Sequence, residues 1–210
     1  MKRIILLTGL LLALVAQNGI MAQEDTTETV IFNAVLGGVF DLIIQDGEIQ
    51  TAYFNTADDY TYGVSETQGS PGIEPGFTTI SMVSTGNWYL TISSSDFLPI
   101  GGGATGSIPI LNLGVWCEAT GVHQFGTEVT CAYADDPNNA LGLIESPVTL
   151  IDLLTENSGF ENDNLFILHW LMGTMQGSME PTSMFLQLSN GLFTQGTYST
   201  NVILTMTEIP

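Results

Sequence analysis

After Lys2 and Arg3 the chain has no lysine or arginine, and its only other candidate cations are two histidines. Phosphate cradles built on lysine, nucleic-acid binding by counterion release, and docking on anionic lipid all draw on cations that are missing here. Acidic residues number 22, and the formal net charge is −20 at pH 7. Charged residues are nevertheless only 11% of the chain, against roughly a quarter in an ordinary globular domain. The imbalance therefore comes from absent bases rather than surplus acids. Such a chain repels itself, and salt is expected to help it stay compact.

Histidine and cysteine are equally scarce, at two each. His123 and His169 are far apart in the chain, and no Cys-x-x-Cys accompanies them, so no zinc site of the usual three or four ligands is legible. No Gly-x-Ser-x-Gly elbow supplies a serine nucleophile. His169 sits in the apolar run Leu165 to Leu171 and reads as a core or rim histidine. His123 reads as the solvated tip of a hairpin. Val115 and Cys117, then Val129, Cys131 and Tyr133, each follow a two-residue period, with Thr120-Gly121 and Gly126-Thr127 between them. That pattern predicts a hairpin with Cys117 and Cys131 on facing strands. Two cysteines in an exported chain predict one disulfide, worth about 3 kcal/mol for a closed loop of about 15 residues.

Export is read from the first residues. Lys2-Arg3 precede the apolar run Ile4 to Val15, and small residues follow. The run is too short for a hydrocarbon core of ~30 Å, which takes about 20 residues. The expectation is a signal peptide over 1–22, cleaved after Ala22 (with Ala16 as the alternative), and a single mature domain over 23–210. The mature protein is expected to be secreted or at the cell surface, without a membrane span.

From residue 30 onward the dominant signal has period two, the mark of strands with one buried face. Trp88, Leu90 and Ile92 alternate with Tyr89, Thr91 and Ser93. Ile80 and Met82 alternate with Thr79 and Ser81, and Tyr198, Val202, Leu204 and Met206 with polar neighbours. Further strands are expected at 30–34, 37–44, 49–55, 108–117, 128–134, 164–172 and 183–188. Turn residues separate them, among them Asp46-Gly47, Ser70-Pro71-Gly72, Asp136-Pro137-Asn138 and Asn190-Gly191. The stretch 63–76 reads as a surface loop. Ser146-Pro147 followed by Val148, Ile151 and Leu154 at three-residue spacing predicts a short helix at 147–155, although Val148 to Ile151 also suits a strand. The fold class expected is all-β: an antiparallel β-sandwich or jelly-roll.

Asn87-Trp88-Tyr89-Leu90-Thr91-Ile92, followed by Ser95-Asp96-Phe97, resembles the Trp-x-Leu strand of the WxL surface-protein domain. Gly196-Thr197-Tyr198, running through Val202 to Thr207 and on to Pro210, resembles that family's closing strand, a strand also similar to those of pilin-like secreted sandwiches. The resemblance implies a secreted β-sandwich held non-covalently at cell surfaces, without catalysis. The family's second Trp-x-Leu is absent, with Leu204-Thr205-Met206 in its place, and residues 98–195 carry none of its pattern.

Carboxylates are the one reactive group in quantity. Calcium takes hard oxygen ligands of this kind, and the candidate ligands are Asp58 and Asp59, Asp135, Asp136 and Asn138, and Glu161 with Asp163. None lies in a twelve-residue EF-hand pattern, and acidic turns that cap their own backbone would look the same. Two carboxylates about 5–10 Å apart would suit glycoside hydrolysis, and Trp88, Trp116 and Trp170 could stack a sugar, yet each lies in an apolar pattern that points to the core. The function expected is a non-enzymatic surface, structural or adhesive protein, with no catalytic residues. Its partners would be extracellular protein or polysaccharide, or further copies of itself through residues 30–36. In that segment Val30, Phe32 and Ala34 share one face, and Gly37-Gly38 could hinge; the C-terminal 197–209 could serve instead, and residues 30–36 could equally complete their own subunit's sheet. The alternatives are a Ca²⁺- or carbohydrate-binding module and a carboxylate-based glycosidase.

Overall fold

Strands with one apolar face must cover that face, and this chain does so by placing one sheet against another. The computed structural model describes residues 38–65 and 76–209. The expected signal peptide over 1–22, the strand expected at 30–34, the segment 30–36 and the turn expected at Ser70-Pro71-Gly72 lie outside the described residues.

The larger sheet runs in the order β1 (Phe40–Asp46), β3 (Phe77–Ser84), β10 (Gly159–Met172), β6 (Leu113–Ala119) and β8 (Leu141–Gly142). A further short strand, β2 (Val64–Ser65), pairs with the end of β10. The second sheet runs β12 (Val202–Glu208), β4 (Trp88–Ser94), β9 (Val148–Leu153) and β7 (Val129–Thr130). A separate ribbon joins β5 (Leu98–Ile100) to β11 (Thr197–Ser199). All of these strand pairs are antiparallel. The fold is the expected all-β sandwich.

One core fills the space between the sheets. Ile80 and Met82 of β3, Val115 of β6, and Phe166, Leu168 and Trp170 of β10 meet Trp88, Leu90 and Ile92 of β4, Val129 of β7 and Ile151 of β9. Trp88 and Phe166 touch across the layers, edge to face, with ring centroids 6.2 Å apart, an arrangement that suits the aromatic quadrupoles. The strict alternation seen in β3 and β4 is therefore the imprint of this single buried face.

Four expectations are corrected. Residues 147–155 do not form a helix: β9 occupies 148–153. Its register against β4 slips between Leu90↔Ile151 and Thr91↔Thr149. The bulge buries Leu150 and Ile151 in succession, and an extra residue of this kind imitates helical spacing. Residues 183–188, expected as a strand, instead form helix α2 (Met184–Ser189), capped by the Ser183 hydroxyl, which accepts from the Leu186 N–H.

Residues 49–55 are not a strand. The Gln50 amide donates to the Gly47 and Phe77 carbonyls and accepts from the Gly76 N–H, taking up backbone groups that a ladder would use. A helix α1 (Ala57–Tyr62) follows them. It closes on Gly63 at φ 79°, where a Cβ would run into the backbone of Gly173, so only glycine fits.

The hairpin expected at 115–133 is absent as well. Residues 120–128 carry the chain from β6 in one sheet to β7 in the other, where Val129 pairs with Leu153. The chain then returns alongside β6 in the parallel sense, at Cys117↔Ala134. Among the described residues, no helix is long and apolar enough to cross a membrane.

Candidate functional site

β1 ends the larger sheet and pairs only with β3, so its outer backbone edge carries no strand among the described residues. The register places Phe40, Leu42 and Ile44 opposite Ser84, Met82 and Ile80, which puts them on the core side. Leu42 packs on the core, but Phe40 and Ile44 remain 40% and 47% exposed. Among the described residues, the apolar face of the sheet is only partly covered at this margin. Unpaired N–H and C=O groups beside such a ledge form a template for one more strand. Natural edges are usually blunted with lysine, proline or other charges; β1 reads Phe-Asp-Leu-Ile-Ile-Gln-Asp, and its charges are Asp41 and Asp46.

The opposite face of the same sheet carries a short row of rings. His169 of β10 lies opposite Phe77 of β3 and Trp116 of β6. Its imidazole stacks on Trp116 at 3.8 Å with planes 5° apart, and Nε2–H donates to Glu118 Oε2 at 3.3 Å. Trp88 and Trp170 are core residues, as the apolar pattern implied, whereas Trp116 faces outward. It is half-buried against Ala140, Leu171 and Met179. His123 is not a solvated tip. It is half-buried, and its Nε2–H donates to the Ser158 carbonyl at 3.1 Å.

Cys117 and Cys131 meet, although not as strands of a hairpin. Both are free thiols in this structure, and they lie close enough to shift each other's ionisation. Cys117 is fully buried in the core, and Cys131 is partly buried at its margin. Burial pushes the Cys117 thiol well up, and the hydrogen bond and charge of Cys131, with Asp135, push the same way. For Cys131 the hydrogen bond from Cys117 lowers the pKa against the opposing effect of burial. The Tyr133 N–H, at 3.4 Å, lowers it further and Asp135 opposes; the balance lies below an ordinary thiol.

The candidate calcium ligands are not brought together: no three His, Cys, Asp or Glu side chains converge among the described residues. Several are engaged locally. Asp59 closes a capping box on α1, accepting from the N–H groups of Thr56 and Asn55 at 2.7 and 2.8 Å. Slight burial pushes its carboxyl up, but these bonds outweigh it and hold the pKa below the ordinary value. Asp136 caps the turn Pro137–Asn139, accepting from the Asn138 N–H at 2.9 Å and its side-chain amide at 3.1 Å. Asp163 accepts from the Phe160 N–H at 2.8 Å. Asp135 sits at φ 54° beside the thiols, while Asp58 and Glu161 are exposed.

No protein-family model matches this chain, and no curated protein does. Two buried amides that organise the fold went unread in the sequence. Asn157 grips Trp88, and Gln187 pairs with Asn112. The capping box Thr56-x-x-Asp59 was a readable signal for α1; long-range amide pairs leave no such local mark.

Proposed function

We propose that the chain is an exported, non-enzymatic structural or adhesive protein of the cell surface, which assembles by accepting a strand at the β1 edge. The observation that carries this reading is the margin of β1, with Phe40 and Ile44 half-covered beside a backbone edge that carries no strand among the described residues. The strand that suits it is residues 30–36 of a second copy. Val30, Phe32 and Ala34 alternate there in the sequence, and an added strand would continue the apolar face already lined by Phe40, Leu42 and Ile44. Main-chain bonds and apolar contacts carry such binding, so it needs none of the basic residues that the chain lacks.

The two segments that resemble the WxL surface domain pair with each other, with Trp88, Leu90 and Ile92 of β4 opposite Glu208, Met206 and Leu204 of β12.

Light scattering and negative-stain microscopy of the mature chain, over a range of concentration and NaCl, test the proposal. Higher-order species are expected, favoured by salt. A Phe40→Lys/Ile44→Lys variant and a deletion of residues 23–36 are each expected to give a folded monomer. Intact protein that stays monomeric under every condition, or variants that assemble as the parent does, would overturn it.

A further inference from the structure

The two cysteines are held from different layers. Cys117 belongs to β6 of the larger sheet, in register with Leu168 of β10. Cys131 directly follows β7 of the smaller sheet, where Thr130 pairs with Asp152. Both side chains belong to the core packing. Backbone bonds hold the site from either side without help from the sulfurs. The Cys117 N–H donates to the Tyr133 carbonyl at 3.0 Å, and the Asp135 N–H donates to the Cys117 carbonyl at 2.9 Å. The two thiols lie close enough to act on each other's ionisation, with Cys117 bridged to Ala134, three residues beyond Cys131.

We infer that Cys131 and Cys117 form a thiol–disulfide couple, in which Cys131 is the sulfur that reacts with an external disulfide and the oxidised form staples the two sheets together. The asymmetry follows from access. Cys117 has no exposed surface, whereas Cys131 is only partly buried, at the margin of the core, so a small-molecule disulfide reaches Cys131 first. The hydrogen bonds from Cys117 and from the Tyr133 N–H also favour its thiolate, the reactive form.

In the first step the Cys131 thiolate attacks one sulfur of the reagent. A mixed disulfide forms on Cys131, and the other half of the reagent leaves as a thiolate that takes up a proton. In the second step Cys117 loses its proton to water and attacks the Cys131 sulfur. The Cys117–Cys131 bond forms, and the second half of the reagent leaves as a thiol. Two electrons pass from the protein to the reagent, which is released as two thiols.

The test equilibrates the full mature chain with oxidised and reduced glutathione at graded ratios, followed by acid quench and intact mass. In oxidising buffer the chain is expected to lose two hydrogens, and its melting temperature to rise by about 6–12 °C, the shift expected for closing a loop of this length in a domain of this size. Cys117→Ala is expected to stop at the glutathione adduct on Cys131, and Cys131→Ala to take up none while folded. Because Cys117→Ala opens a core position, peptide mapping of the early acid-quenched parent protein provides a second readout, with glutathione expected on Cys131 alone. Native protein that keeps two alkylatable thiols in fully oxidising buffer would overturn the couple. Glutathione found first on Cys117 would overturn the order of attack.

Discussion

Trp88 is held by one distant side chain. Asn157 is fully buried; its Oδ1 accepts from the Trp88 N–H at 2.9 Å, and its Nδ2 donates to the Trp88 carbonyl at 2.7 Å. Its own carbonyl accepts from the indole N–H at 2.7 Å, and its N–H donates to Asn87 Oδ1 at 3.1 Å. Trp88 can therefore bring a polar backbone and an indole nitrogen into the core without an unpaired group. Asn157→Ala keeps the indole bond but strands both backbone groups of Trp88. A loss of about 2–4 kcal/mol is expected by urea denaturation, because each buried group left unpaired costs about 1–3 kcal/mol. A loss below about 1 kcal/mol would mean that water replaces the amide. That Trp88 is a core residue was legible from its alternation with Leu90 and Ile92. Its partner was not, because the two are 69 residues apart and asparagine has no periodic signature.

At the level of elements, local signals were sound where the ladder is regular and misleading where it is not. β3 and β4 follow their alternation, whereas the extra residue in β9 counterfeits a helix. In α2 the reverse happened. Met184, Leu186 and Leu188 alternate like a strand, yet the structure buries Met184 and Gln187, one turn apart on a helix. The reason is a reciprocal amide pair. Gln187 Nε2 donates to Asn112 Oδ1 at 2.7 Å, and Asn112 Nδ2 donates to Gln187 Oε1 at 3.0 Å. This pair fastens α2 to the turn preceding β6. Asn112→Ala and Gln187→Ala should each destabilise the fold, and the double variant should cost less than their sum. A coupling of at least about 1 kcal/mol in a double-mutant cycle is expected; additive losses would show that the pair does not act as a unit.

For the whole molecule, the missing bases set the electrostatics. Among the described residues the one acid–base pair within ion-pair distance is His169 with Glu118. The other described carboxylates form no ion pair among the described residues. Melting temperature should therefore climb with NaCl as screening shortens repulsion to about 10 Å at 0.1 M, by about 2–4 °C for each kcal/mol relieved. Asp59, Asp136 and Asp163 spend an oxygen on their own backbone, and no three acidic, His or Cys side chains converge among the described residues. Calcium chloride at matched ionic strength should then follow the NaCl curve without a saturable step. A melting temperature indifferent to salt would mean that repulsion is unimportant, and a saturable rise at low calcium would reveal a site.

The sequence by itself determined the class of the fold and the inward face of β3 and β4, because a two-residue period is a local consequence of strand geometry and needs no partner to be read. It also determined the charge balance, which depends on composition alone. Tertiary structure decided the rest. Which strand lies at an edge depends on sheet order, and nothing within β1 states that β3 is the one described strand paired with it. Whether Cys117 and Cys131 face each other within a hairpin or across the two sheets depends on the crossing at 120–128. The periodicity around each cysteine is the same in both cases, and only the packing of one layer on the other distinguishes them.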